Sequence, residues 1–531
     1  MAETTVAVMK RAALFMLLIL AGSVEAVTPS GDGGVRPPAA AGRFYPSDPV
    51  KLGKAIDAYI NDAVDARAER PIAIVAPHAG YLYSGQIAAD AFKQTAGYDY
   101  DVVVILGTNH TTGGFDGVSV YLGDGYQTPL GVAPIDRGLS ERLVAMDDDF
   151  TFDPAVHRRE HSVEVQVPFV QRLFPNASIV AAVVGAPDLD LCRRFGDALA
   201  RVLEGRRALI VASSDLSHYP PYDDAVRVDH ATLSAITRFD PDALDDVLRA
   251  PMGPVPNLRT RACGAGPILA ATVAARALGA TGARLVSYAN SGDSSVGDHR
   301  QVVGYGAVVF AAGDQSRGQP APSQNGAPAT NGFSPDHGGS ASSDGAPLGD
   351  DDKRTLLRYA RSTIERFLTT ETTPLLRDRG ALARKQGAFV TLEEHGRLRG
   401  CIGHMAADLP LSQVVGYCAL QAAFNDHRFE PLVMEELAEV DIEISLLTPL
   451  ERVDTYEDIV VGRDGVLLEK DGQSAVYLPS VAVEQGWDRD EMLAHLCRKA
   501  GLPETAWRTG ANFYTFRADV FSERELDEPV P

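Results

Sequence analysis

Cysteine is scarce in this chain, five in 531 residues, and Cys192, Cys263, Cys401, Cys418 and Cys497 stand far apart. An odd, scattered set with no CxxC pair excludes a disulfide framework and a zinc ribbon. Most of these thiols are expected to be small, buried apolar side chains. No CxxxCxxC run occurs, which excludes the cluster site of a radical S-adenosylmethionine enzyme from this chain. Positive charge is also short, with 49 Lys and Arg against 71 Asp and Glu and a net charge of -22. A field of that sign repels phosphate backbones and anionic membranes, so no nucleic acid is expected as a partner. The apolar run Ala12–Gly22 is too short to span a bilayer comfortably. No internal repeat relates the two halves.

What is present is enough apolar residue for sizeable cores, 45% against 23% charged. The length is more than one ordinary domain needs. Residues 1–26 read as a signal peptide: Lys10-Arg11, the apolar run, then Val24-Glu25-Ala26 as an imperfect small-x-small end. That predicts an exported or periplasmic protein; a mis-assigned start on a cytoplasmic protein is the alternative. No twin-arginine pair precedes the apolar run. Residues 27–34 form a spacer, and residues 314–351, rich in Gly, Pro, Ser, Ala and Asn, form a linker. The linker has too little apolar surface to offset its chain entropy, so disorder is expected. A flexible chain of that length spans roughly 30 Å.

Between them, residues 35–313 alternate strand and helix patterns. Strands are expected at Ile72–Ala76, Val102–Leu106, Ser178–Val184, Ala208–Ala212, Arg284–Tyr288 and Val302–Phe310. Helices are expected at Ala88–Gln94, Val163–Leu173, Leu191–Leu203 and Gly266–Leu278. Such alternation implies an α/β fold, a largely parallel or mixed sheet covered on both faces. Residues 352–528 have a less regular order. A helix is read over Thr355–Thr369, strands at Ala388–Leu392, Asp441–Leu447, Val466–Glu469 and Phe513–Asp519, and helices at Leu411–Asn425 and Asp490–Ala500. That order predicts a separate α+β domain.

Four strand ends of the first module carry chemistry. IAIVAPHAGY puts His78 just past a buried strand, VVVILGTNH does the same for His110, ALIVASSDLSH ends in Asp215 and His218, and RTRACGAGP sets Cys263 before glycines and a helix start. Open α/β sheets bind ligands beyond the carboxyl ends of their strands, so these residues can converge. Two imidazoles and a thiolate make three protein ligands with a position left open, the arrangement of a catalytic metal. The sulfur favours copper(I), zinc or iron over magnesium. Asp215, Glu160, His161 or His218 would orient a ligand through its second ring nitrogen. Against this, a histidine after a strand is often a loop hydrogen-bonder, and Cys263 alone would be core. Glu160 and Glu164 also fit a charged helix start. Tyr81 and Tyr83 fit either a pocket lining or aromatic filling.

In this order RPPAAAGRFYPSDP from Arg36, APHAGYLYSG from Ala76, ILGTNH, EHSVEVQVPFVQ from Glu160, SSDLSH and CGAGP resemble the Memo family. The family is similar in fold to class III extradiol ring-cleaving dioxygenases, which implies a three-layer α/β sandwich. The resemblance makes His78 and His110 metal ligands and puts Cys263 where those dioxygenases hold a carboxylate ligand. His218 matches the non-ligand acid/base histidine, with Asp215 beside it. Glu160 and His161 would lie near the cleft, with Tyr81, as substrate contacts. The implied cofactor is a single transition metal, iron or copper first and zinc next. Exchange of a hard carboxylate for a soft thiolate alters iron affinity and redox behaviour, so ring cleavage itself is not implied.

LRGCIGHM from Leu398, with AAFNDHRFEPL, DIEISLLTPLERV, LPSVAVEQGWD and FYTFRADVFSE, resembles the AMMECR domain family. Glycines on both sides of Cys401 suggest a tight backbone path. Cys401 would be a nucleophile if Arg399, His404 or His427 lowered its pKa; a buried thiol in a turn is the alternative. Trp487 and Trp507 are expected in the core. Both families occur with a radical S-adenosylmethionine protein in the AmmeMemoRadiSam system, which implies that protein as partner and a small molecule or peptide as ligand. Two functions compete: a metal-dependent oxidoreductase, or a non-catalytic binding or regulatory protein that uses the cleft for recognition.

Overall fold

Runs of Val, Ile and Ala ending in small polar residues build the central sheet. The computed structural model describes residues 34–185, 188–312, 348–376 and 380–526. The signal-peptide reading, most of the linker and the last residues of the second module lie outside them. The described chain clusters into two compact units, residues 34–312 with Arg366–Leu375, and residues 348–365 with 376–526.

In the first unit the strands of the main sheet are β1 (Pro71–Ala76), β2 (Val102–Thr108), β3 (Val118–Val120), β4 (Phe150–Thr151), β5 (Ser178–Val184), β6 (Ala208–Ser213), β7 (Gly282–Asn290) and β8 (Gly304–Ala311). They form one sheet in the order β7-β8-β1-β6-β2-β5-β3-β4. The centre, β1-β6-β2-β5, is parallel. β7 and β8 pair antiparallel at one edge and β3 pairs antiparallel with β5 near the other. Alternate residues feed two cores. Ile74, Ala76, Val103, Ile105, Leu209 and Val211 share one with α1 (Pro49–Asn61) and α2 (Tyr81–Lys93). Ala73, Val75, Val102, Val104, Ile210 and Ala212 share the other with α3 (Leu189–Leu203), α4 (Tyr222–Thr237) and α5 (Ala265–Ala277). Each such aliphatic side chain contributes about 1.5–3 kcal/mol on burial. The unit is therefore the mixed sheet covered on both faces expected from the alternation, and the three-layer α/β sandwich that the resemblance implies.

The helices read as Ala88–Gln94 and Val163–Leu173 differ in extent. The first begins at Tyr81, and a Cβ on Gly85 would lie 2.6 Å from the Tyr59 ring, so glycine lets this helix pack on α1. The second starts as a 3-10 turn at Glu164–Gln166 before the helix Val167–Leu173, with Pro168 in its first turn.

The second unit contains α6 (Asp350–Thr370) as far as Glu365, β9 (Ala388–Glu394), β10 (Arg397–His404), α7 (Leu411–Phe424), β11 (Val440–Leu447), β12 (Glu451–Val453), β13 (Gly465–Lys470), β14 (Gln473–Tyr477), α8 (Arg489–Lys499), β15 (Asn512–Phe516) and β16 (Ala518–Ser522). Two four-stranded antiparallel sheets result, β10-β9-β11-β16 and β12-β15-β13-β14. The α+β expectation holds, with two revisions. The single strand read over Phe513–Asp519 is two, one in each sheet, parted at Arg517, whose N–H donates to Thr448 Oγ1 at 2.8 Å. LRGCIGHM is an edge strand rather than a turn. A Cβ on Gly400 would lie 2.3 Å from the Ala422 carbonyl oxygen, so glycine lets α7 pack on the strand. A Cβ on Gly403 would lie 2.3 Å from the Phe389 ring, which covers it from the neighbouring strand. Trp507 is core, whereas Trp487 is half-buried and stacks on His495. No helix among the described residues is long and apolar enough to cross a membrane.

Candidate metal centre

Because β1, β6 and β2 are adjacent and parallel, their carboxyl ends open on the same edge, and the segments that follow carry His78, Asp215–His218 and His110. Pro77 turns the chain after β1, and Asp215 Oδ1 then accepts the backbone N–H of His78 at 2.7 Å and of Ala79 at 3.2 Å. The buried His78 ring is fixed at both nitrogens. Ser213 Oγ donates to the Ser162 carbonyl at 2.6 Å, so it accepts from His78 Nδ1, 3.0 Å away. That network assigns the proton to Nδ1 and leaves a lone pair on Nε2, which lies 3.2 Å from Cys263 Sγ.

Cys263 is brought in by α5. Its N–H donates to the Asp215 carbonyl at 3.2 Å, and the Gly264 N–H donates to Ser214 Oγ at 2.9 Å. A Cβ on Gly264 would stand 2.5 Å from the Ser213 carbonyl oxygen, so only glycine permits this approach of helix start to strand end.

On the other side Glu160 organises two imidazoles. Its Oε2 accepts the His110 N–H at 2.7 Å, and its Oε1 accepts His110 Nδ1 at 2.9 Å and the Ser162 N–H at 2.9 Å. The same Oε1 lies 3.4 Å from His161 Nδ1. His110 and His161 stack with ring centroids 4.6 Å apart, and both meet His78 edge-to-face, at 5.2 and 5.4 Å. Phe44 packs on His161 at 4.3 Å.

Among the described residues, ligand atoms of His78, His110 and His161 lie within 4.8 Å of one another, and so do those of His78, Asp215 and Cys263. His78 is common to both groups. The expected trio of His78, His110 and Cys263 is thus divided between two overlapping sets.

The electrostatics suit neutral donors. Burial holds His78 far below its ordinary value, helped by His110 and His161, and burial also lowers His161 and His218. Glu160 goes the other way: burial alone would raise it, yet the His110 hydrogen bond and the nearby imidazoles bring it to about 2, so it is a carboxylate. Burial, and then Asp215, push the Cys263 thiol well up. A transition metal deprotonates a coordinating thiol outright, so these residues fit a metal, with the imidazoles free to ligate without losing a proton. His218 Nε2 is buried and has no hydrogen-bond partner among the described residues. The next residue, Tyr219, is exposed and held at φ 72°, with its N–H donating to the Val302 carbonyl at 2.7 Å.

Several expected roles change. Glu160, expected as a substrate contact, has both oxygens engaged with His110 and Ser162. Tyr81 is core: its hydroxyl donates to the Val165 carbonyl at 2.8 Å and its carbonyl accepts from Tyr59 at 2.5 Å. Asp215 pins the His78 backbone. Glu164 is no exposed helix start; it is buried and accepts from Arg36, Ala39 N–H, Ala40 N–H and Tyr45. Arg36 also donates to the Glu160 carbonyl at 2.7 Å and the His157 carbonyl at 2.8 Å, so the N-terminal segment braces the turn that carries Glu160 and His161. That brace and Ser213 escape a sequence reading, since the partners lie more than a hundred residues apart.

In the second unit no base among the described residues is hydrogen-bonded to the Cys401 sulfur. Thr391 Oγ1 donates to its sulfur at 3.3 Å, and burial raises the thiol. Arg399 pairs with Glu436 at 2.8 Å and His404 with Asp408 at 2.6 Å, so neither serves Cys401. The nucleophile expectation gives way to the structural one.

Comparison with known proteins bears on both units. A family model described as Memo-like protein matches residues 36–309, and one described as AMMECR1 matches residues 357–521. A MEMO1 family protein of Methanopyrus kandleri is 38% identical over 296 residues, 52% of this chain and 99% of that protein. One from Aquifex aeolicus is 38% identical over 281 residues, again 52% of this chain and 99% of the relative. Among solved structures, an uncharacterized protein from Pyrococcus horikoshii aligns at 36% identity, over 35% of this chain and 97% of its own, with a TM-score of 0.33.

Proposed function

We propose that this chain, which belongs to the Memo-like protein family through residues 36–309 and carries an AMMECR1 domain over residues 357–521, is a metal-dependent oxidoreductase working at the His78 cleft. The observation that carries the reading is that histidines from separate loops have Nδ1 held by an acceptor, Ser213 for His78 and Glu160 for His110, with His161 Nδ1 3.4 Å from the same Glu160 oxygen. Prior orientation of this kind fixes tautomer and raises ligand basicity; it is what metal-binding histidines show. His78, His110 and Cys263 would hold the ion.

A bound redox-active metal supplies one-electron chemistry and Lewis acidity there. The protein's own part is legible in the side chains. Glu160 takes Nδ1 of His110 and leaves its Nε2 free to ligate, and Asp215 fixes the backbone of His78. His218, neutral through burial and with Nε2 unpartnered, accepts a proton from a bound substrate hydroxyl.

Metal analysis of purified protein beside a His78→Ala, His110→Ala double variant tests the reading. Near-stoichiometric metal in the wild type and background in the variant are expected; equal content would refute it. Dioxygen uptake on catechols, lost in His218→Ala with metal retained, tests turnover. A radical S-adenosylmethionine protein is proposed as partner, checked by co-purification of the two. Export is proposed from the leader, and N-terminal sequencing of the expressed protein checks it.

A further inference from the structure

We infer that Arg259, stacked on Tyr219 beside His218, is the recognition point for an anionic group of the substrate. The cleft then takes a small organic acid, with its hydroxyl at His218 and its carboxylate or phosphate at Arg259. This rests on the oxidoreductase reading above and deepens it by giving the substrate a chemical class.

Three segments meet at His218. Its N–H donates to the Thr260 carbonyl at 3.3 Å, and its carbonyl accepts the Arg259 N–H at 3.1 Å. The Tyr219 N–H donates to the Val302 carbonyl at 2.7 Å. Held in this way, Tyr219 keeps φ 72°, a left-handed conformation that a bulky aromatic residue rarely adopts. Such residues persist where the surroundings over-determine them, and they cluster at ligand clamps. The Tyr219 ring stays 43% exposed and meets the His218 ring edge-on, with centroids 5.5 Å apart. The Arg259 guanidinium carbon lies over the same Tyr219 ring, 5.8 Å from its centroid. One aromatic ring therefore joins the proton acceptor to a cation.

Arg259 is marked by its lack of an internal counter-ion. Many exposed arginines of this unit pair with an aspartate, as Arg172 does with Asp57 at 2.6 Å and Arg249 with Asp245 at 2.7 Å. Among the described residues Arg259 has no carboxylate partner, although the chain holds 71 acidic residues. Its neighbour Arg261 donates to the Pro251 carbonyl at 3.0 Å and so braces the loop. The acids at the floor of the cleft are engaged elsewhere, Asp215 by the His78 and Ala79 N–H groups and Glu160 by His110 and Ser162. An unpaired guanidinium presents a planar fork of N–H donors that matches carboxylate and phosphate oxygens. In a chain of net charge -22, a lone cation at the mouth of the cleft also directs an anion there and not to the rest of the surface.

The test is calorimetric titration of the full-length protein as purified, with metal content measured on the same sample. The probes are 4-hydroxybenzoate, phenyl phosphate and the neutral 4-hydroxybenzamide. At least one anion is expected to bind about 10–100-fold more tightly than the amide at low salt, the range of a hydrogen bond to a charged group. The tighter of the two anions names the substrate's group. Arg259→Gln should erase that preference with metal content unchanged and amide affinity within about twofold, and Arg259→Lys should restore part of it. Phenylglyoxal gives a measurement that needs no variant and survives a failure of Arg259→Gln to fold. Its modification of Arg259, located by peptide mass spectrometry, should slow with the preferred anion and not with the amide. Anion and amide bound alike, no binding of any probe, or a preference that survives in folded Arg259→Gln would overturn this inference, whatever the metal content. A metal-free wild type that still prefers the anion through Arg259 would remove the metal reading and leave the anion site.

Discussion

Cys263 and Cys401 invite a direct comparison, because each lies beside glycine, each is half-buried, and burial raises both thiols. Around Cys263 the neighbours are ligand-type groups already oriented: His78 at 3.2 Å, itself anchored through Ser213, with His110 and His161 anchored through Glu160. Around Cys401 the polar groups satisfy each other. Asp426 accepts the Cys401 N–H at 2.9 Å and pairs with Arg428 at 2.6 Å, while Arg399 and His404 pair elsewhere. Gly264 brings a helix start up to strand ends, whereas Gly400 lets a helix side lie on a strand. The difference teaches that a thiol among glycines is chemically neutral information; convergence of anchored donors makes a site.

The hardest blow to that convergence is at Glu164. It and Arg36 form an ion pair with side chains 0% and 3% exposed, and the pair braces the Glu160–His161 turn. Removing one partner leaves a buried charge uncompensated, which costs about 3–5 kcal/mol. Glu164→Ala should lower the first unit's calorimetric transition by that order and weaken metal uptake, although Glu164 is no candidate ligand. Both tryptophans, Trp487 and Trp507, lie in the second unit, so fluorescence-monitored unfolding should not move. Parallel loss of the fluorescence transition would break the contrast between the units.

A smaller effect distinguishes them by pH. Burial pushes Asp229 from 3.8 up to about 7, against hydrogen bonds from the Ser217 N–H at 2.8 Å and Tyr288 at 2.9 Å. Through Ser217 it holds the loop between Asp215 and His218. A raised folded pKa means that the folded state binds the proton more tightly. Its stabilising contribution is then complete below about pH 4 and is lost as the pH rises to about 7, worth a few kcal/mol. Asp229→Asn should flatten that slope in the calorimetric transition of the first unit and leave the tryptophan signal's pH dependence as it was. A slope that persists would assign it to another group.

His78, His110 and Cys263 were legible because each follows or precedes an apolar run that a buried strand or helix requires, and strand ends are where α/β sheets bind ligands. The layers were legible for the same reason, since the parallel strands read as continuous apolar runs. Glu164 was not, because its partner Arg36 is 128 residues away and no local pattern marks a buried ion pair. Asp229 sits within α4, where an acid looks like a solvated face. Glu160 and His161 looked like cleft residues, but only distances separate a group that orients a ligand from one that meets substrate. The β10 strand was missed because two glycines at an edge erase the alternation that identifies strands.

The second unit can be disturbed on its own. Gly400→Ala would place a methyl 2.3 Å from the Ala422 carbonyl oxygen, and backbone cannot yield as a side-chain tip can. Overpacking of this kind costs about 1–3 kcal/mol. The fluorescence transition should fall by that order while metal uptake stays at wild-type level, the mirror image of Glu164→Ala.

The smallest expected change is at Cys401 itself. Burial raises its thiol above the ordinary cysteine value, so at neutral pH little of it is the thiolate that alkylating reagents need. Native protein should therefore leave Cys401 unlabelled by iodoacetamide over a time in which the urea-unfolded chain is labelled fully, with peptide mass spectrometry locating the adduct. Cys401→Ser keeps an acceptor for Thr391 Oγ1 and should shift the fluorescence transition by less than about 1 kcal/mol. Rapid labelling of Cys401 in the folded protein would mean that Arg428 or Lys499, the cations nearest its sulfur in effect, outweigh burial. The second unit would then hold an activated thiol of its own, and the contrast with Cys263 would become one between two reactive centres.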